Sequence, residues 1–205
     1  MILFGGGIDS CALVELYRPY DPILVYFDYG QKAYSGEVAA TIHYATKYNL
    51  RSHVIKVPPT ILPSSPLTDG AMASDHAQNY LPGRNLVFAA LALPLAIKLG
   101  CTEILLGASP SNDNVYNDAK QPFADMFNAL AGFGYPGAPA LRMPLLKMKR
   151  IDYARFALSR EPRLFDIAFS CYESKTVDEC GLCTHCKIKA ALKNEVMLME
   201  AEDAR

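Results

Sequence analysis

Ile2-Leu3-Phe4-Gly5-Gly6-Gly7-Ile8-Asp9-Ser10-Cys11 is the stretch on which the fold reading turns. An apolar run drives straight into three glycines, and a helix-compatible segment follows from Ser10 to Leu16. Three glycines let a backbone turn tightly and approach an anion closely. A helix that starts there points its unpaired N–H groups and the positive end of its dipole at the same spot. Asp9 and Ser10 have the chemistry to cap that helix. The plainer alternative is a glycine-rich strand–helix turn with an ordinary cap. No Gly-Lys-Ser or Gly-Lys-Thr follows, so this is not a Walker A loop. The spacing of the dinucleotide fingerprint is also absent.

Working outward, the same alternation repeats. Apolar runs at Ile23–Phe27, His53–Val57 and Glu103–Gly107 each end in turn-forming residues. Leu141–Leu145 is a weaker fifth strand, demoted by Pro144 to a sheet edge or a strand end. Helix-length segments fall between, at Ser35–Tyr48, Asn85–Leu99, Phe123–Ala131 and Arg150–Ser159. Strand–helix alternation predicts an α/β fold, a parallel five-stranded sheet with helices on both faces. Continuous apolar runs fit strands buried on both sides. Ligands of such sheets bind beyond the carboxyl ends of the strands. The Pro-, Ser- and Asp-rich stretch from Pro58 to Tyr80 reads as a long loop or lid.

The composition narrows the function. At 205 residues, half of them apolar and with net charge −1, the chain is a folded domain with a sizeable core. Twenty Lys and Arg against 21 Asp and Glu give no general attraction to nucleic acid. The N-terminus lacks the pattern of a secretory signal, and the longest apolar stretch, Leu86–Ile97, is too short to span a bilayer. A soluble cytoplasmic protein is expected, with no membrane partner.

Six cysteines divide into two kinds. Cys11 and Cys101 lie alone among apolar neighbours, where buried thiols are common. Cys171, Cys180, Cys183 and Cys186 crowd into sixteen residues. Two Cys-x2-Cys spacings sharing Cys183 suit a tetrahedral thiolate site, with Gly181 shaping the knuckle. Such a site has no open position, so a zinc there is structural; an iron–sulfur cluster is the lesser alternative. His185, between two ligands, is expected at the surface.

Taken together these motifs resemble one family. Gly5-Gly6-Gly7-Ile8-Asp9-Ser10 is similar to the Ser-Gly-Gly-x-Asp-Ser loop of the ATP pyrophosphatases, with Gly5 in place of the first serine and one hydroxyl donor fewer. Phe27-Asp28-Tyr29-Gly30-Gln31 with Glu37 beyond it, Pro82-Gly83-Arg84-Asn85, Lys149, Ser170-Cys171-Tyr172 and the cysteine knuckle resemble the QueC, or 7-cyano-7-deazaguanine synthase, branch from Leu3 to about Leu192. The chain departs from that family's Gly-Tyr-Pro-Asp-Cys-Arg segment, reading Val115-Tyr116-Asn117-Asp118-Ala119-Lys120. Lys120 replaces a planar fork with a point charge. Phe169 stands where a tryptophan is frequent.

The resemblance implies an adenine nucleotide alpha hydrolase-like domain over residues 1–165 and a zinc-binding segment with a C-terminal helix over 166–205, packed on the same domain. It implies ATP, Mg²⁺ and structural Zn²⁺, a homodimer, and a small deazaguanine base and ammonia as substrates, with no direct nucleic-acid partner. The implied reaction makes a nitrile from a carboxylate through adenylated intermediates, with ATP split to AMP and pyrophosphate. ATP would be held by Phe4, Gly5, Gly6, Gly7, Ile8, Asp9, Ser10, Cys11, Ala12, Leu13 and Val14, with Asp28 and Gln31 reading the adenosine or substrate edge. Asp9, Ser10, Arg84, Lys149 and Asp118 would carry catalysis: Asp9 acts through Mg²⁺, and Arg84 and Lys149 neutralise phosphate charge. Tyr116, Asp118 and Lys120 would meet the base. Arg84 and Asp118 also fit surface ion pairs. Three rivals stay open: a tRNA-modifying enzyme of the same superfamily, a non-catalytic nucleotide binder, and an enzyme that stops at the 7-amide.

Overall fold

The computed structural model describes residues 1–58, 60–71, 79–110 and 116–203. Val115 and parts of the Pro58–Tyr80 stretch lie outside them. Five parallel strands form one sheet: β1 (Ile2–Leu3), β2 (Leu24–Asp28), β3 (Ser52–Lys56), β4 (Glu103–Leu106) and β5 (Ala140–Arg142), in the order β3-β2-β1-β4-β5. The expected class and strand count therefore hold. Chain order reverses beside β1, between β1 and β4, which is where such sheets bind ligands.

The helices are α1 (Ile8–Tyr17), α2 (Tyr34–Tyr48), α3 (Arg84–Lys98), α4 (Gln121–Gly134), α5 (Arg150–Arg160), the short α6 (Leu164–Ile167) and α7 (Thr184–Asp203). Successive strand residues point to opposite faces, and each face has its own core. Ile2, Phe4, Leu24 and Leu105 pack with α1, α2, α5 and α7 residues such as Leu13, Tyr44, Tyr153 and Val196. Leu3, Val25, Phe27 and Ile104 pack with α3 and α4 residues such as Ala89, Ala92 and Phe127. A sheet covered on both faces explains the unbroken apolar runs of the inner strands.

The edges behave differently. β3 is not buried on both sides as its run suggested: Val54 is 58% exposed, and β3 lies at the edge of the sheet, with β2 its one strand neighbour among the described residues. β5, the other edge, stops at Arg142, and Pro144 opens a short 3-10 turn over Pro144–Lys147. The proline is thus beyond the strand end, where it removes no ladder bond.

α1 starts earlier than read. Its N-cap is Gly7, without a side-chain cap, and Asp9 and Ser10 lie inside the first turn. Neither caps the helix: the Ser10 hydroxyl instead donates to the Gly7 carbonyl at 3.0 Å. That leaves the first N–H groups of α1 open toward the loop.

Candidate active site

The carboxyl ends of β1, β2 and β4 open onto a cavity of about 320 Å³. One end is the glycine loop with the first turn of α1: Gly5, Gly7, Ile8, Asp9 and Ser10. Gly6 shapes the turn with φ +73°, and a Cβ there would sit 2.9 Å from the Glu37 Cα, so no other residue fits without displacement. Gly5 differs. Its φ is outside the left-handed region and a Cβ there would meet nothing within 4 Å. Backbone geometry does not require glycine at position 5. Gly107 to Ser109, after β4, close this end; a Cβ on Gly107 would lie 3.3 Å from Asp9 and Ser10 atoms.

Asp9 is the charged centre of this end. Its Oδ1 accepts the Tyr153 hydroxyl at 2.7 Å, and the Arg150 Nε of α5 lies 3.6 Å away. The Arg150 Nε is buried with no hydrogen-bond partner. Lys149 is the exposed N-cap of α5 and does not line the cavity. One residue along a helix rotates the side chain by about 100°, so Arg150 takes the inward position.

The wider end is aromatic and polar, with Tyr29, Phe88 and Tyr172 around Glu37, Arg84 and Asn85. Glu37 accepts from the Gln31 Nε2 at 2.9 Å and the Tyr26 hydroxyl at 3.3 Å. Burial pushes its carboxyl up, against those hydrogen bonds and the nearby Arg84 charge. Arg84 opens α3 after Gly83, whose φ is +77°, and donates to the Tyr29 hydroxyl at 3.4 Å. Burial works against its charge, but Tyr29, Tyr172 and Glu37 hold the cation above its ordinary value. Tyr116 and Ala119 reach the cavity, and the Tyr116 ring stacks on Tyr80 at 4.7 Å.

Other expected site residues sit elsewhere. Cys11, Ala12, Leu13 and Val14 are wholly buried in the core beneath the loop and do not line the cavity. Gln31 spends its amide on Tyr26, the Phe27 carbonyl and Glu37, so it braces the site from behind. Asp28 accepts from the Gly30 N–H at 3.4 Å and is outside the cavity lining. Asp118 Oδ2 accepts from the Tyr80 hydroxyl at 3.0 Å while Oδ1 is buried without a partner; its backbone neighbours, not its carboxylate, line the cavity. Lys120 is exposed and bonds Asn117 at 3.0 Å.

The four clustered thiols converge. Cys171, Cys180, Cys183 and Cys186 place their sulfurs within 4.8 Å of one another, with Cys180–Cys186 at 4.0 Å and Cys183–Cys186 at 3.4 Å. A tetrahedral zinc with Zn–S of about 2.3 Å needs sulfur separations of about 3.8 Å, so the set fits a metal. Backbone N–H groups of Ser174 and Cys180 donate to the Cys171 sulfur at 3.3 and 3.4 Å, which suits thiolates. Gly181, φ +70°, forms the knuckle. The cluster abuts the cavity. The Tyr172 ring, next to Cys171, lies 3.7 Å from that of His185, next to Cys186, and both line the wall. His185 is therefore half-buried on the cavity wall instead of fully exposed.

A glycine loop at the switch point and a four-thiol knuckle on the cavity wall form one constellation, and it coincides with a family model. Residues 1–196 match that of the queuosine biosynthesis protein QueC. The chain belongs to the QueC family. It is similar to the 7-cyano-7-deazaguanine synthase of Microcystis aeruginosa, 34% identical over 92% of this chain and 88% of the relative. It is also similar to 7-cyano-7-deazaguanine synthase 2 of Rhodopseudomonas palustris, 31% identical over 92% of this chain and 93% of that one. Among solved structures, the U34-tRNA thiolase NcsA from Methanococcus maripaludis with its [4Fe-4S] cluster aligns over 98% of this chain and 66% of its own, with TM-score 0.50 and 12% identity. At that identity the likeness concerns the fold only. No helix among the described residues is long and apolar enough to cross a membrane.

Sequence reasoning missed Arg150, Tyr153, Phe88 and Ser109, and noted Glu37 without a role. The strand-end rule could have found Ser109, since it follows β4, which borders the switch point. Nothing local pointed to Tyr153, whose hydroxyl reaches Asp9 across 144 residues of sequence.

Proposed function

We propose that this QueC-family chain is an ATP-dependent carbon–nitrogen ligase that converts 7-carboxy-7-deazaguanine and ammonia to 7-cyano-7-deazaguanine, cleaving ATP to AMP and pyrophosphate. The observation that carries the reading is the opening of the α1 N-terminus and the glycine loop, with Asp9 and Arg150, onto the cavity walled by the cysteine knuckle. The names of the two synthase relatives support the 7-cyano-7-deazaguanine product.

A carboxylate resists ammonia because its leaving group would be oxide. Attack of its oxygen on the α-phosphorus of ATP releases pyrophosphate and makes AMP the leaving group. Ammonia then displaces AMP and gives the primary amide. A second adenylation on the amide oxygen, with loss of AMP and protons, gives the nitrile. In this reading the loop N–H groups and α1 cradle the phosphates, and Arg150, in place of Lys149, neutralises charge developing on them. Arg84 and Glu37 present a donor and an acceptor to the base between aromatic walls. Asp9 would hold a Mg²⁺, which would supply neutralisation of the phosphate charge, with few further protein ligands needed. Zinc in the closed four-thiolate set serves structure alone.

The test is incubation with ATP, Mg²⁺, ammonium and the 7-carboxy base, followed by mass spectrometry of the base and assay of AMP and pyrophosphate. The nitrile with AMP is expected. An accumulating amide would assign the chain to the shorter reaction, and absence of AMP would overturn the ligase reading. Metal analysis should find about one zinc per chain; iron with sulfide would exclude the zinc assignment. We further propose a cytoplasmic homodimer, since closed twofold assemblies are the commonest; a monomer by light scattering at micromolar concentration would remove that claim.

A further inference from the structure

The phosphate end of the cavity contains a carboxylate and a guanidinium in a loose ion pair that stops short of a hydrogen bond. Asp9 Oδ1 and Arg150 Nε lie 3.6 Å apart, beyond hydrogen-bond range for this donor, and the Nε has no hydrogen-bond partner. An unhindered Asp and Arg at this range ordinarily close into a forked pair. Tyr153 competes for the same oxygen. Its ring is wholly buried in the core where α5 packs on α1, and its hydroxyl donates to the same Oδ1 at 2.7 Å. Ser109, from the segment after β4, bonds the same phenol. Tyr153 therefore links α1, α5 and the β4 end at one oxygen. Asp9 Oδ2 accepts no hydrogen bond among the described residues, so that oxygen is the one left for the cavity.

We propose that Tyr153 is a positioning residue: its hydroxyl captures Asp9 Oδ1, keeps Asp9 and Arg150 from collapsing into a closed ion pair, and so leaves the carboxylate for a divalent cation and the guanidinium for a phosphate. This rests on the assignment of Asp9 to Mg²⁺ made above. Removing the hydroxyl while keeping the ring lets Arg150 close on Asp9. Each charge then neutralises the other, and the site loses affinity for Mg·ATP more than for ATP alone.

The experiment is calorimetric titration of ATP with and without Mg²⁺ into the wild type, Tyr153→Phe, Asp9→Asn and the double variant, beside thermal midpoints. Mg²⁺ should tighten ATP binding to the wild type. Tyr153→Phe should lose about tenfold of that increment, roughly the worth of one hydrogen bond to a charged group, while its metal-free ATP affinity falls by less. Adding Tyr153→Phe to Asp9→Asn should change the Mg²⁺ increment no further. A Tyr153→Phe protein that keeps the full increment, while Asp9→Asn loses it, overturns the positioning role and leaves the Asp9 assignment standing. An Asp9→Asn protein that keeps the increment overturns both. Equal loss of ATP binding with and without Mg²⁺, with a lowered thermal midpoint, would make Tyr153 a packing residue only.

Discussion

The Phe169 backbone N–H donates to the Gly6 carbonyl at 2.8 Å, so the segment that leads into the cysteine knuckle is bonded to the glycine loop. The Phe169 ring reinforces this joint by lying over Gly36 of α2. Loop, helix and knuckle meet at one point, and a disturbance of any of them reaches the others.

Gly36→Ala tests the joint. In an exposed helix interior this change usually stabilises by about 1 kcal/mol. Here the added Cβ would fall 2.1 Å from the Phe169 ring. Overpacking of this kind costs roughly 1–3 kcal/mol, so the sign should reverse. A lowered thermal midpoint together with weaker ATP binding is expected; a raised midpoint would show that the ring moves aside freely.

Gly5→Ser should be tolerated and should improve nucleotide binding. Position 5 has room for a side chain and no left-handed φ, and it lines the phosphate end. Stability should stay within about 0.5 kcal/mol of wild type. A hydroxyl donating to a phosphate adds at most roughly 1.5–3 kcal/mol, or one to two decades in affinity. Gly6→Ser, by contrast, should unfold or inactivate the loop, because its Cβ meets the Glu37 backbone. Thermal denaturation and ATP titration of the two variants check both outcomes.

Arg150 and Lys149 should separate cleanly. Arg150→Ala should slow pyrophosphate release by about two decades or more, of the order seen when one preorganised charge stabiliser is removed. Lys149→Ala should stay near wild type, since its side chain is exposed outside the cavity. Matching losses in the two variants would return Lys149 to the site.

Acid should weaken the α2–α5 contact through Glu161. Burial works against its carboxylate, but hydrogen bonds from Lys47 and His43, each at 2.8 Å, and from the Arg163 N–H hold it at about 2 instead of 4.5. A depressed folded-state pKa gives stability that is present above the unfolded value and lost as pH falls toward 2. The shift corresponds to roughly 3 kcal/mol as an upper bound. Glu161→Gln should flatten the decline of the thermal midpoint between about pH 5 and pH 2; an unchanged slope would mean other carboxylates carry it.

Much of this molecule is local in origin and therefore legible in its residues. The inner strands announce themselves because a parallel sheet covered on both faces needs unbroken apolar runs. The loop announces itself because the turn at Gly6 admits only glycine. The candidate metal site does so because Cys171 to Cys186 span one short segment whose spacing suits a thiolate knuckle. The tertiary structure alone decided which side chains share the cavity. Asp9 meets Tyr153, and Gly6 meets Phe169, across long stretches of chain that only sheet order and helix packing bring together. The choice of Arg150 over Lys149 depends on where α5 begins and how it rotates against α1, and a single helical step of about 100° reverses it. Residues 11 to 14 lie wholly buried under the loop, outside the cavity, for the same reason: helix rotation, not proximity in sequence, determines what faces the cavity.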